Sequence, residues 1–482
     1  MAVRCQHEPA RGVGPAPTRP PVEAARLPCA AGHRGPSPRR LAIPGAAVPS
    51  HQRIARMKIR RATVTPIAFR DPPLLNAAGI HEPYALRSII EVETDSGLVG
   101  LGESYADAPV LAALQKTSGD LAGLDPFDLN GLRARVKAAT GATAPAAQAP
   151  GTALAPGSWP GKMAANVYSA FEVACIDLQA RHLNAPVVDV LGGAVRDEIP
   201  FSAYLFFKYA EHVDTPYAPD AWGEALSEAQ IVAQAARMRD AYGFGSIKLK
   251  AGTLLGPEHE VACLKALKRA FPDCPLRIDP NNNWSLDTAV RMAEVMGADL
   301  EYYEDPTPGL DGMAELHRRT GVPLATNMVV TDFEELRQSL ARNSVQIVLA
   351  DHHFWGGLRD TQLLARICGM FGLGVSMHSN SHLGISLMAM SHVAATIPNL
   401  TYACDTHYPW QEPDEEVLRG GKLPIVGGCV RVTRAPGLGV ELDHDQLRKL
   451  HELYLACGIR QRDDVRQMQR YRPDWRNVKP RF

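Results

Sequence analysis

Ser246-Ile-Lys-Leu-Lys250 opens a series of short apolar runs, each closed by a polar or ionisable residue. The others are Leu276-Arg-Ile-Asp279, Leu300-Glu-Tyr-Tyr-Glu304, Leu324-Ala-Thr-Asn327, Ile347-Val-Leu-Ala-Asp351 and Gly374-Val-Ser-Met-His378. Helical stretches separate them. The closing positions stand about 26 residues apart on average, which suits one βα unit. Eight such units need about 200 residues. The pattern predicts an α/β fold, a (β/α)8-type TIM barrel, with functional side chains gathered at the C-terminal ends of its strands.

Upstream, residues 57–105 read as an antiparallel sheet. Met57-Lys-Ile-Arg-Arg-Ala-Thr-Val-Thr-Pro-Ile67 is a first strand, Ser88-Ile-Ile-Glu-Val-Glu-Thr94 alternates, Asp95-Ser-Gly97 turns, and Leu98-Val-Gly-Leu-Gly-Glu103 returns. A helix from Ala165 to about His182 carries Val167, Phe171, Ala174, Cys175 and Leu178 on one face. Asn184-Ala-Pro186 ends it. Residues 140–162, rich in Ala, Pro and Gly, read as a loop. The expected organisation is a leader over 1–56, an N-terminal α+β capping domain over 57–195, the barrel over 196–420, and a segment over 421–482 that completes the cap.

The whole chain has 482 residues, 51 Lys+Arg and 52 Asp+Glu, so its charge of −1 gives no footprint for nucleic acid or an anionic membrane. That average joins two unlike parts. Residues 1–56 hold ten Pro and nine Arg but only two acidic residues, Glu8 and Glu23; without them the net charge is −8. The prolines exclude a regular helix in the leader, and no apolar stretch marks a secretory signal. No run approaches the roughly 18–20 apolar residues of a membrane span. Nine scattered cysteines without a Cys-x-x-Cys pair read as reduced core thiols, and a cytoplasmic protein is expected.

Asp279, Glu304 and Asn327 close three successive runs and would converge on one patch of the barrel mouth. All three offer oxygen, the donor that selects Mg²⁺ over zinc or copper. Singly, each could be a solvated strand end or a helix cap; three in register favour a metal. Lys248 and Lys250, two apart on a strand, face the same side. Pointing inward, each disfavours protonation of the other, as partial burial does, and a lysine of lowered pKa can serve as a general base. The alternative is a pair of surface lysines. Asp351 and His378 close the next two runs; a carboxylate beside an imidazole fixes its tautomer and raises its basicity. Two bases flanking a metal suit removal of a proton next to a carboxylate.

These residues, with Asp279-Pro-Asn281, Glu304-Asp-Pro306, Ala325-Thr-Asn-Met328, Leu349-Ala-Asp-His-His-Phe-Trp355, His378-Ser-Asn380, Cys404-Asp-Thr-His407 and Pro436-Gly-Leu-Gly-Val-Glu441, resemble the enolase superfamily, and within it the glucarate dehydratase subgroup. The resemblance runs from about Met57 to the C-terminus. It implies that Lys250, positioned by Lys248, is the base on one face, and that His378, held by Asp351, is the base on the other. It implies Mg²⁺ on Asp279, Glu304 and Asn327, and substrate contacts from Asn281, Ser379, Asn380 and His407. From the capping domain, His81 and Tyr204 match substrate-contacting positions. Arg462 matches an arginine that closes over the distal carboxylate, a task suited to its bidentate fork. The implied reaction is dehydration of a small-molecule diacid sugar through a metal-stabilised enediolate; the expected assembly is a homo-oligomer.

Two departures stand out. Only 22 residues separate Glu304 from Asn327, where the family has several more, including a glutamate at the metal site; Asp311 is the available substitute. The 140–162 loop lacks a match to the family's capping segment. Three other readings therefore stay open. One is action on another aldarate, such as galactarate or idarate, or racemisation without elimination. Another is a nearly silent paralogue that binds an active partner. A zinc hydrolase is the weakest, because no His-x-His string lies on an early strand and His378-Ser-Asn-Ser-His382 lacks the glutamate of His-Glu-x-x-His.

Overall fold

The computed structural model describes residues 57–141, 160–213 and 215–482. The leader expected over 1–56, and all of the expected loop from 142 to 159, lie outside these residues. The chain begins with β1 (Ile59–Arg70), β2 (Tyr84–Thr94) and β3 (Val99–Tyr105), paired antiparallel in that order, as the alternation and the turn at 95–97 predict. Helices α1 (Ala108–Gly119), α2 (Leu129–Thr140) and α3 (Met163–His182) follow. At Gly100 and Gly102 a Cβ would collide with the carbonyl oxygens of Ala174 and Ala170, so glycine is what lets α3 lie so close on β3.

The expectation of a one-faced helix fails for α3. Every residue from Asn166 to Ala180 is buried, polar ones included. The polar side chains act as ties: Asn166 accepts from Ser104 Oγ at 2.8 Å, Glu172 from the Leu358 N–H at 2.9 Å, and Asp177 from the Leu101 and Leu438 N–H groups at 2.9 and 2.7 Å. The helix is thus held on all sides, and a periodicity that counts only apolar residues misses the five buried polar ones.

After α4 (Val187–Val190) and β4 (Glu198–Pro200), seven strands form one parallel sheet in chain order. They are β5 (Ala203–Leu205), β6 (Ile247–Lys250), β7 (Leu276–Asp279), β8 (Leu300–Glu304), β9 (Leu324–Thr326), β10 (Ile347–Ala350) and β11 (Gly374–Met377). Helices α5 (Glu228–Tyr242), α6 (Pro257–Ala270), α7 (Leu286–Met296), α8 (Gly309–Thr320) and α9 (Phe333–Arg342) connect successive strands. The pair α10 (His352–Trp355) and α11 (Leu358–Met370) joins β10 to β11. Beyond β11, α12 (Gly384–Ala395) leads to residues 400–405, which supply the eighth stave. Thr401 and Asp405 donate to Val375 and Met377 at 3.1 and 2.8 Å, while Cys404 donates to Pro200 at 2.7 Å and its carbonyl accepts from Ser202 at 2.8 Å. These bonds close the barrel.

Two staves were not among the six quoted runs. β5 has three residues, and the eighth stave pairs through isolated bridges, so neither presents a long apolar pattern. β9, β10 and β11 also stop one residue early, which leaves Asn327, Asp351 and His378 just beyond the strands. On β6, Ile247 and Leu249 join the apolar core, so the pleat turns Lys248 and Lys250 to the opposite face.

The C-terminal part returns to the first sheet. β12 (Cys429–Arg431) pairs with β4, α13 (His444–Cys457) packs Tyr454 with Ala68 and Leu86 beside β1 and β2, and α14 (Asp464–Gln469) follows. Asp464 accepts from Asn76 Nδ2 at 2.7 Å, so this segment meets the β1–β2 loop. Among the described residues, no helix is long and apolar enough to cross a membrane.

Candidate active site

The end of β6 faces the ends of β7 and β8. Lys248 and Glu304 are fully buried and form an ion pair; Lys248 Nζ also lies 2.6 Å from Asp405 Oδ2 and 3.9 Å from Asp279 Oδ2. Burial opposes the charge on Lys248, but Asp405, Glu304 and Asp279 outweigh it and raise its pKa above the ordinary lysine value. The expected lowering therefore does not occur at Lys248, because its nearest charges are carboxylates. Lys250 Nζ lies 2.6 Å from Asp279 Oδ2 and 3.2 Å from Tyr204 Oη, and Tyr204 Oη donates to the same Asp279 oxygen at 2.8 Å. Burial pushes the Asp279 carboxyl upward; Lys250 and Lys248 overcome this and hold it below the usual carboxylate range. Glu304 goes the other way, raised by burial and by neighbouring Asp279.

Asp279 Oδ1 accepts from the backbone and side-chain nitrogens of Asn281 at 3.0 and 2.9 Å. Asn281 makes this turn at φ 51°, in the left-handed region that asparagine tolerates best after glycine. Asp305, at φ 37°, holds the next loop: it accepts from Thr326 Oγ1 at 2.5 Å and from the Asn327 N–H at 2.9 Å. Burial lifts its carboxyl to about 7.

His378 Nδ1 lies 3.0 Å from Asp351 Oδ2. With the proton on Nδ1 and donated to this carboxylate, Nε2 carries the lone pair. Asn327 Nδ2 stands 2.9 Å from it, and Asn327 Oδ1 then points at Glu304 Oε1, 3.3 Å away, and at Asp305 Oδ2, 2.8 Å away. Turning the amide end for end would satisfy its nitrogen on those carboxylates instead. The orientation with Oδ1 beside Glu304 Oε1 is the one that a cation bound between them would require. The donor set of Asp279, Glu304 and Asn327, all oxygen, fits Mg²⁺. Asp311 is no part of it: it is exposed on α8 and paired with Arg342 at 2.8 Å.

A cavity of about 500 Å³ lies over these groups. Lys250, Asn281, Asn327, His378, Asn380 and His407 line it from the barrel, His81 from the β1–β2 loop, and Arg462 from the C-terminal segment. Tyr204 also lines it, but from β5 of the barrel and not from the cap. Ser379 does not line it; it stands behind His407, with Oγ 3.4 Å from Nδ1. His81 Nδ1 lies 3.0 Å from Asp71 Oδ2. The fork of Arg462 is occupied, with Nε and Nη2 both 2.7 Å from the two oxygens of Asp464. A ligand carboxylate reaching Arg462 competes with that pair.

Several lining residues were not picked out from the sequence. Tyr105, at the end of β3, accepts from Asn380 Nδ2 at 2.5 Å. Asn76 and Asp464 line the cavity where loop and C-terminal segment meet, and Asn477 lines it from the tail. The tail is anchored at both ends: Trp475 Nε1 donates to Ala78 O at 2.6 Å, and Arg481 and Phe482 donate to Asn283 O at 2.9 and 3.2 Å. No local pattern announces such contacts. Asp405 had a signal, since it belongs to the Cys404-Asp-Thr-His407 string.

Residues 63–192 match the N-terminal domain family of mandelate racemase and muconate lactonizing enzyme, and residues 230–446 the enolase C-terminal domain-like family. A probable glucarate dehydratase of Streptomyces coelicolor is 48% identical over 423 residues, covering 87% of this chain and 97% of the relative. An enolase from Pseudomonas fluorescens Pf0-1, solved with bound magnesium, potassium and tartrate, is 75% identical with TM-score 0.86, over 88% of this chain and 99% of its own. An enolase from Mycobacterium smegmatis complexed with tartrate is 52% identical with TM-score 0.83, over 89% of this chain and 99% of its own. The chain belongs to the enolase superfamily, among its glucarate dehydratase-like members.

Proposed function

We propose that this chain is a Mg²⁺-dependent hydro-lyase of acid sugars that converts D-glucarate to 5-dehydro-4-deoxy-D-glucarate. One juxtaposition carries the reading: Lys250 and His378, at the ends of β6 and β11, line a single cavity with Asn327 between them in strand order. Asp279, Glu304 and Asn327 would hold the metal, which when bound stabilises negative charge developing on the substrate carboxylate. Nε2 of His378, or Nζ of Lys250 when it stands as the free amine, takes the proton on the adjacent carbon, each base serving one face. The C–O bond to the β-hydroxyl then breaks, the oxygen leaving as water with the proton handed back by the protonated base, and the enol left behind relaxes to a 2-keto-3-deoxy acid. Asp351 orients His378, and Lys248 keeps the acidic cluster compensated. His81, Asn281, Asn380 and His407 present polar groups to the hydroxyls, Ser379 supports His407, and Tyr204 orients Lys250. Arg462 meets the distal carboxylate by exchanging Asp464 for it. The Pseudomonas fluorescens structure with magnesium and tartrate, a hydroxylated diacid, supports the metal and the ligand class.

Incubation with Mg²⁺ and a panel of aldarates and aldonates should release a 2-keto acid from D-glucarate; absence of keto acid from every substrate removes the dehydratase reading. In D₂O, α-deuteration of recovered substrate without keto acid would instead identify a racemase. Mg²⁺ with tartrate should also raise the unfolding temperature, since a ligand at 100 times its Kd adds about 2.7 kcal/mol. An unfolding temperature indifferent to Mg²⁺, tartrate and EDTA removes the metal assignment and favours the silent paralogue.

A further inference from the structure

Asp351 serves two imidazoles. Its Oδ2 meets His378 Nδ1 at 3.0 Å, while its Oδ1 meets His353 Nδ1 at 2.8 Å and accepts from the His353 backbone N–H at 2.9 Å. On the far side, His353 Nε2 lies 3.0 Å from Ser386 Oγ. Ser386 is itself anchored, its backbone N–H donating to Glu103 Oε2 at 2.9 Å, and Arg87 Nε donates to Glu103 Oε1 at 2.9 Å. All of these side chains are buried, and His353 does not line the cavity. Burial disfavours a charged Asp351, but His353 and His378 overcome that and hold its carboxyl well below the usual range. An ionised carboxylate only accepts, so both histidines present Nδ1–H to it, and in the neutral His353 ring Nε2 is left to accept from the Ser386 hydroxyl.

This order leaves little room for another use of the cluster. Ligand atoms of Asp351, His352 and His353 lie within 4.8 Å of one another, close enough for a metal. Asp351 Oδ1 and both ring nitrogens of His353 are already engaged in hydrogen bonds, so a metal would have to break the Asp351–His353 contact.

We propose that His353 is a positioning residue for the His378 base. It clamps Asp351 Oδ1 so that Oδ2 stays in line with His378 Nδ1, and Ser386 fixes its own tautomer from behind. The proposal rests on the two-base reading given above. It predicts an effect confined to one face of the substrate, because Lys250 draws on Asp279 and Tyr204 and, among the described residues, shares no hydrogen bond or ion pair with this chain of groups.

Two aldarates epimeric at the carbon that loses its proton, D-glucarate and L-idarate, separate the two bases. The rate of α-proton exchange with D₂O is measured on each, and the epimer whose exchange disappears in His378→Asn reports on His378. In His353→Leu, exchange of that epimer should fall about tenfold relative to the other, the lower end of what loss of an outer-shell partner costs. His353→Asn, whose amide can still donate to Asp351, should restore most of the ratio. A purely structural role would lower both rates together and leave the ratio unchanged, which overturns the proposal. Ser386→Ala removes the hydroxyl behind His353 and should shift the ratio the same way, which keeps the test decisive if His353→Leu does not fold; an unchanged ratio in folded Ser386→Ala overturns it equally. Wild-type protein that exchanges only one epimer, or neither, overturns the two-base reading itself, whereas exchange of both with an unchanged ratio in the variants overturns only the role of His353.

Discussion

His378→Asn should lower turnover by about 10²–10⁴-fold, the span that a positioned general base contributes, and Lys250→Met should do the same for the opposite face. Asparagine fills much of the imidazole volume and can still donate toward Asp351, but it has no lone pair basic enough to take a proton from carbon. Methionine keeps the length of Lys250 and removes its nitrogen. Both losses fall on an interaction made in the transition state, so kcat and kcat/KM should drop together while KM changes little. Steady-state kinetics of each variant on the epimer whose proton its base removes, with unfolding curves to establish that the variants remain folded, would check this. Near-normal turnover in both variants would mean that the bases are misassigned.

The legible part of this fold was periodic. Six apolar runs, each closed by a polar residue, gave the strand spacing, and Lys248-Leu-Lys250 could be read as an inward pair because the pleat leaves two residues on one face. What the sequence left hidden depends on contacts distant along the chain. Lys248 looked like a repulsive neighbour for Lys250; in three dimensions Glu304 of β8 and Asp405 of the eighth stave make it a counter-charge. Arg462 looked like a free clamp, although its partner Asp464 stands two residues on. Asp311 looked like a spare ligand, yet it lies in the first turn of α8, exposed and turned to Arg342. His353 sat inside a quoted string without any role, because only folding brings Ser386 behind it.

Lys248→Met is expected to be the most destabilising of these changes, by about 3–5 kcal/mol, the cost of breaking a buried ion pair by removing one partner. The ammonium is wholly buried against Glu304, Asp405 and Asp279, which are buried as well. Methionine replaces the packed methylenes, so the loss reports on charge and not on a cavity. Magnesium on Asp279 and Glu304 would return positive charge to the same cluster. Denaturant unfolding should therefore reveal a large loss in EDTA and a smaller one at saturating Mg²⁺. Equal losses in both conditions would place the metal elsewhere. A loss below 1 kcal/mol in EDTA would mean that the three carboxylates are compensated without Lys248.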